Sequence, residues 1–276
     1  LGNIRNTHAI IHVLRCFDNG NITHVDGSID PVRDKGIIDT ELQLKDLETI
    51  EARLAKTQKQ ATSGGDKNAK RQVELLLQYK SVLEQGLSAR TVELDKEDRK
   101  LVADLNLLTD KPVLYVCNVD EKSAATGNAH TEAVRAAIAD EKAEMLIIAA
   151  ATEADIAELE SYEERQLFLE DLGLKESGVA RLIKSAYKLL SLETFFTTGA
   201  DETRAWTYSR GMKAPQTAGV IHTDFEKGFI RAEVIKYADY VSLGSEKACR
   251  DAGKIGIEGK EYIVQDGDIM HFLFNV

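Results

Sequence analysis

The sequence predicts an α/β protein in which a layered domain with a parallel sheet carries an inserted antiparallel helical hairpin and is followed by a small mixed β domain. Three observations carry that prediction. Short, nearly continuous apolar runs recur at residues 9–17 (AIIHVLRCF), 113–117 (VLYVC) and 145–150 (MLIIAA), as in strands buried on both faces. Helical patterns alternate with the last two, the rhythm of an α/β layer. From about residue 192 the texture changes to short strands and turns.

Composition sets the bounds. A chain of 276 residues corresponds to about two domains, and 43% hydrophobic with 29% charged residues can bury ordinary cores. No apolar stretch approaches the roughly 20 residues that span a bilayer. The opening LGNIRNTHAI lacks the basic and apolar regions of a signal peptide and reads as the end of a helix already under way, so an N-terminal portion is expected upstream. Cys16, Cys117 and Cys249 are odd in number and form no CxxC pair, which argues against a zinc site or disulfide framework and fits a reducing, cytoplasmic setting. The net charge of −11 excludes wholesale attraction to nucleic acid and leaves only local basic patches.

The elements follow in order. After the first strand, residues 40–90 interrupt the α/β rhythm. Leu44, Leu47, Ile50 and Leu54 make one helical stripe, and Val73, Leu76, Leu83 and Leu87 make a second, with Gly64 and Gly65 at the turn. Two helices of similar length form a hairpin projecting from the domain. DKEDRKLVADLNLL is a helix with Asp95 as N-cap and Asp98 in its first turn. HTEAVRAAIADEKAE separates the second and third strands, and KESGVARLIKSAYKLLSL closes the layer. In the last domain APQTAGVIH supplies a helix with Pro215 in its first turn. FIRAEVI is a strand, and EYIVQDGDIMHFLFNV reads as two strands joined at Asp266–Gly267. A mixed sheet with one main helix is a β-grasp candidate. The boundaries read as 1–39 and 91–191 for the layered domain, 40–90 for the hairpin and 192–276 for the final domain.

The second strand ends in Asn118-Val119-Asp120-Glu121. Asn118 lies just past a buried strand's C-terminal end, where open α/β sheets bind ligands. Guanine readers use Asn-Lys-x-Asp, whose Asp accepts from the guanine N1–H and 2-amino groups. Here Val119 replaces the Lys that covers the base, and the longer Glu121 replaces the Asp. An Asn amide can accept from the adenine 6-amino group and donate to N7, and the backbone N–H and C=O of Val119 are expected to be free for the purine edge. These changes loosen guanine selection without themselves selecting adenine. A plain polar turn would account for the same four letters.

AGVIHTDFEKGFIRAEVI and EGKEYIVQDGDIMHFLFNV, with HVLRCFDNGNITHV, the NVDE segment and TEADIAEL, closely resemble the YchF/Obg-like ATPases, collinearly over essentially the whole chain. The resemblance implies a P-loop NTPase domain of the GTPase type, a helical-hairpin (coiled-coil) insertion and a C-terminal TGS domain of β-grasp type. It also implies ATP hydrolysis in preference to GTP and association with ribosomes. It makes residues Ala149, Ala150 and Ala151 the second base-pocket loop beside Asn118, Val119 and Glu121. One departure is large: no GxxxxGK[ST] occurs here. The phosphate cradle, its Lys and the ligands of Mg²⁺ would lie upstream of Leu1, so this stretch holds no catalytic residue of its own.

Other residues divide between function and plain structure. Lys56, Lys59, Lys67, Lys70 and Arg71 gather at the hairpin tip, either as solvating charge or as an arm for ribosomal RNA phosphates. In the last domain Arg204, Lys213, Lys227, Arg231 and Lys236 are candidates for a second basic surface, with Phe225 and Phe229 interleaved. His12, His222 and His271 read as structural, Cys117 as a buried inert thiol, Glu153 and Asp155 as first-turn acids, and Glu163 and Glu164 as a solvated face. Two functions follow: an ATP-hydrolysing switch acting at the ribosome, or a non-enzymatic RNA- or ribosome-binding adaptor with nucleotide as a regulatory ligand.

Overall fold

A three-stranded parallel sheet, in the order β1-β2-β3, organises the first part of the chain. The computed structural model describes residues 2–22, 27–63, 66–141, 143–199 and 202–275, and the chain divides into two units between Ala186 and Tyr187. A short helix α1 (Gly2–Arg5) precedes β1 (Ile10–Arg15). β2 (Val113–Asn118) is central and almost wholly buried, and β3 (Glu144–Ile148) pairs with its other side. The first run was expected to be buried on both faces. Among the described residues β1 is an edge strand instead, with Ile11 47% and Val13 60% exposed while Leu14 and Cys16 enter the core.

The hairpin consists of α2 (Pro31–Ser63) and α3 (Lys67–Glu84). α2 starts well before the apolar stripe because Pro31 suits a first helical position and the Asp30 carboxylate accepts from Val32 N and Arg33 N. Asp66 caps α3 through Asn68 N and Ala69 N. The expected Gly64–Gly65 turn lies outside the described residues. Leu47, Ile50 and Leu54 pack with Leu75, Leu76, Tyr79 and Leu83, as the stripes require. Leu44 and Leu87 are about half exposed instead, the latter because it lies beyond α3.

One carboxylate ties the hairpin to the sheet. Asp46 of α2 is fully buried and accepts from Leu108 N (2.8 Å), Thr109 N (2.7 Å) and Thr109 Oγ1 (2.8 Å). Thr109 in turn accepts from Ala89 N and Arg90 N, where the chain leaves the hairpin. Between them, α4 (Lys96–Val102) has the expected Asp95 cap. Beyond β2 follow α5 (Ala129–Ala137), α6 (Ala150–Glu158), α7 (Tyr162–Asp171) and α8 (Gly178–Leu189).

The second unit contains β4 (Leu192–Thr198), β5 (Thr203–Ser209), α9 (Ala214–Ile221), α10 (Thr223–Lys227) and β6 (Phe229–Ile235). Then come α11 (Tyr237–Leu243), α12 (Glu246–Asp251), β7 (Ile255–Glu258) and β8 (Ile269–Phe274). The sheet order is β5-β4-β8-β6-β7, with β4 and β8 parallel and every other pairing antiparallel. Phe195, Tyr208, Phe229 and Phe272 pack with Ala214 and Ala218 of α9, and Phe225, stacked on Phe274, packs half-buried against the same core, so the core claims both aromatics. The expected two-strand reading of residues 261–276 is half right. β8 already has β4 and β6 on its two edges, so Tyr262–Val264 cannot pair with it. Asp268 instead holds this segment as a loop, accepting from Tyr262 Oη (2.6 Å) and Gln265 N (2.9 Å), and Gly267 turns at φ 83°.

Replacing Asp46 by Ala would strand two buried backbone N–H groups. It is expected to lower stability by about 3 kcal/mol in urea denaturation, with Asp46→Asn losing less because one acceptor remains.

Candidate functional site

Three loops meet where the parallel strands end. Cys16 N donates to Asn118 O (2.8 Å), Val119 N donates to Ile148 O (2.9 Å), and Ala150 N donates to Asn118 Oδ1 (3.0 Å). Asn118 therefore joins the NVDE segment to the alanine loop, and its Nδ2 makes no hydrogen bond to a described residue. This corrects the reading of Val119: its N–H is committed to extending the sheet, and its carbonyl meets no donor among the described residues. Its side chain is 4% exposed and packs with Leu14, Tyr115 and Val134, so it is not a cover for a base.

The next residues are arranged by a cap. Asp120 accepts from Ser123 N (3.1 Å) and starts a single turn, Glu121–Ser123, which leaves Glu121 exposed at its head. Ala149 is buried, whereas Ala150 and Ala151 open α6 as exposed residues. Sequence reasoning missed the β1 end. There Arg15 lies over the Phe17 ring (4.9 Å) and donates to the carbonyls of Phe17, Asn19 and Ile22. Asn128 caps α5 and also donates to Cys16 O (2.7 Å). A polar residue before a helix signals the cap, but nothing local signals the bond to Cys16, 112 residues away in the chain.

The other candidates resolve mostly into structure. Cys16 and Cys117 are fully buried side by side, and the neighbouring Cys117 thiol, with burial, pushes the Cys16 pKa up. Burial lowers the pKa of His12, which sits beside the Tyr115 ring. Nearby, Lys35 is 8% exposed and paired with Asp39 and Glu141, each at 2.6 Å, while Tyr115 Oη donates to Glu141. Burial would depress the Lys35 pKa, but these two bonds more than offset it. Of the two expected first-turn acids, Glu153 lies in the first turn of α6 and Asp155 beyond it. Glu153 caps α8 through Gly178 N (2.6 Å) and Val179 N (3.2 Å). Glu164 is not merely solvated, since it completes a capping box with Ser161. His222 caps α10 through Asp224 N. His271 is exposed on β8.

Comparison with known proteins places this geometry. A family model described as "YchF-GTPase_C: Protein of unknown function (DUF933)" matches residues 192–275. The Bacillus subtilis protein named "Ribosome-binding ATPase YchF" is 49% identical across the whole chain, which covers 75% of that relative. The chain belongs to the YchF family. A rat protein named "Obg-like ATPase 1" is 44% identical over the whole chain and 70% of its own length. The solved "Schizosaccharomyces pombe YchF GTPase" superimposes with a TM-score of 0.87 at 34% identity, over 99% of this chain and 74% of that one.

In this YchF-family chain the hairpin tip is less free than its composition suggests. Arg71 cannot serve as an open phosphate contact. Its Nε and Nη2 grip both oxygens of Asp98 (2.9 and 2.6 Å) and its Nη1 meets Glu74 (2.7 Å), which raises its pKa. Lys67 and Lys70 are exposed in the first turns of α3, and Lys56 and Lys59 are exposed on α2. The second basic surface does not form as one face. Arg204 stacks over Trp206 (4.1 Å), whereas Arg231 alternates with core-facing Ala232 and projects from the other side of the sheet. Lys213 pairs with Glu261, and Lys236 with Asp268, leaving Lys227 exposed on α10. Among the described residues no group of three or more His, Cys, Asp or Glu side chains could hold a metal ion, and no helix is long and apolar enough to cross a membrane.

Burial of Val119 gives a direct check. Val119→Lys should lower stability by roughly 2–4 kcal/mol in chemical denaturation, the cost of forcing a polar group into a packed core. An unaltered midpoint would mean that this side chain is not held in the core.

Proposed function

We propose that this chain is the base-selecting and partner-contacting part of a ribosome-binding, ATP-hydrolysing switch protein. The observation that carries the reading is Asn118, which bridges two strand-end loops through Oδ1 while Nδ2 remains available. An amide anchored on one side and open on the other can donate to a purine N7. The Val119 carbonyl, which meets no donor among the described residues, suits an adenine amino group and would repel the guanine O6. Glu121 is exposed and unbraced, so no short carboxylate clamp for guanine is set up. The names of the relatives, ribosome-binding ATPase and Obg-like ATPase, agree with this choice.

The phosphate half is assigned to sequence outside these residues, since the chain spans three quarters of the relative from Bacillus subtilis and contains no GxxxxGK[ST]. That part would supply the phosphate cradle and the Mg²⁺ ligands, and catalysis would be phosphoryl transfer to water. The second unit, with a helix across a mixed sheet whose central strands are parallel, is proposed as the TGS-type β-grasp domain. The setting is proposed as cytoplasmic. Of the tip residues, Lys56, Lys67 and Lys70 are the ones proposed to meet ribosomal RNA, with Lys59 beside them.

Two experiments with the complete protein test this. Asn118→Asp keeps the acceptor for Ala150 N but loses the amide donor, so ATP affinity should fall by about 1–3 kcal/mol with little change in stability. Equal ATP binding by calorimetry would reduce NVDE to a turn. Lys67→Glu with Lys70→Glu should lower co-sedimentation with ribosomes and flatten its salt dependence, because each phosphate contact releases counterions. Arg71→Ala should instead weaken the fold. If the double variant pellets like the parent at every salt concentration, the lysines are solubilising charge. Ribosome binding without ATP turnover in the complete protein would favour the adaptor.

A further inference from the structure

A second cleft, of about 340 Å³, opens at the opposite end of the parallel sheet from Asn118, between α3, α4 and the chain leading into β2. Tyr79, Arg99 and Asp110 line it together with Val102, Leu107 and Pro112. Tyr79 is 1% exposed as a whole residue, and its hydroxyl, which makes no hydrogen bond to a described residue, reaches the cleft. A hydroxyl at the head of a buried ring, open on the cleft side only, is a positioned donor and acceptor for whatever enters. The Asp110 carboxylate makes no hydrogen bond to a described residue either, and its Arg99 partner stands off at 3.9 Å, beyond hydrogen-bonding distance. Three polar groups thus converge without satisfying one another.

The charges narrow what fits. Arg99, Arg90 and Lys111 surround Asp110, while buried Asp46 adds a second negative charge nearby. Lys111 is already committed to Thr7 O, and Arg90 to Lys111 O. Asp110 and Arg99 therefore remain as one open acceptor and one open donor of opposite charge. A simple anion would face the carboxylate, and a simple cation would face the guanidinium. A dipolar ligand meets both. Burial and the Asp110 carboxylate push the Tyr79 pKa up to about 12, so its hydroxyl keeps its proton at neutral pH and can both donate and accept. Val102, Leu107 and Pro112 supply apolar wall, and the volume lies at the small end of ordinary ligand sites.

We infer that this cleft binds a small zwitterion of the α-amino-acid type with an apolar side chain. The ammonium meets Asp110, the carboxylate meets Arg99, and the Tyr79 hydroxyl bonds between them. The site lies away from the nucleotide loops and does not depend on the base they select.

The test uses the complete protein and three probes of one carbon skeleton: L-leucine, isopentylamine and 4-methylpentanoate. Ligand-observed NMR titration should show saturable leucine binding, with the amine and the acid each at least about tenfold weaker, as expected when one charged contact is lost. Tyr79→Phe should weaken leucine by about three- to tenfold, the worth of one hydrogen bond. Because the hydroxyl has no partner among the described residues, that variant should melt no lower than the parent without ligand. Asp110→Asn should remove the preference for leucine over 4-methylpentanoate. The inference is overturned if leucine does not bind up to tens of millimolar. Equal binding of all three probes, or of the parent and Tyr79→Phe, would also overturn it by marking a merely greasy or hydrated cleft.

Discussion

The Asp46 carboxylate is the constraint on which the first unit depends. A carboxylate removed from water is costly unless its oxygens are filled, and here two backbone N–H groups and a hydroxyl fill them. Those donors belong to the residues that feed β2, so a long helix is fixed to the entrance of the central strand. Thr109 passes the connection on to Ala89 and Arg90 at the foot of the hairpin. Departure, return and strand entry therefore share one hydrogen-bonded knot. Apolar packing along the hairpin supplies most of the burial, but it is non-directional and would not by itself set this register.

The strand ends show a comparable economy. Asn118 is held by its carbonyl to β1 and by its side chain to the alanine loop, so its geometry derives from all three strands. Such positioning on a rigid scaffold is what selective contact with a planar base requires. The charged surfaces behave differently. Arg71 is held in a three-pronged ion pair and Arg204 by an indole face, whereas Lys67 and Lys70 remain extended into solvent.

What could be read from the sequence was what local physics fixes. Continuous apolar runs identified β1, β2 and β3, periodic leucines identified the hairpin, and Asp95 identified its own cap. NVDE was visible as a strand-end motif, and the small alanines as its neighbour. What escaped depended on partners far away in sequence. The commitment of Val119 N–H to Ile148, the reach of Glu153 to Gly178 and the capture of Arg71 by Asp98 have no signature at the residue itself. Ile11 and Val13 share one face of β1, and among the described residues nothing covers that face, which an apolar run cannot disclose. Tyr262–Val264 has strand-like composition, yet both edges of β8 were already taken.

The parallel pairing of β4 with β8 has a consequence for biosynthesis. The two strands are neighbours at the centre of the sheet although some seventy residues separate Phe196 from its partner Ile269. During translation β4 and β5 can form a hairpin early, and β6 can find β7, but neither half has its central neighbour until β8 is made. Loop closure over that distance has to be met before the contact rewards it. Until then β4 and β6 each carry an open edge lined by Phe195, Phe229 and Val234, which favours premature association with other chains. Completion of this sheet therefore waits on β8, the strand that joins its two halves.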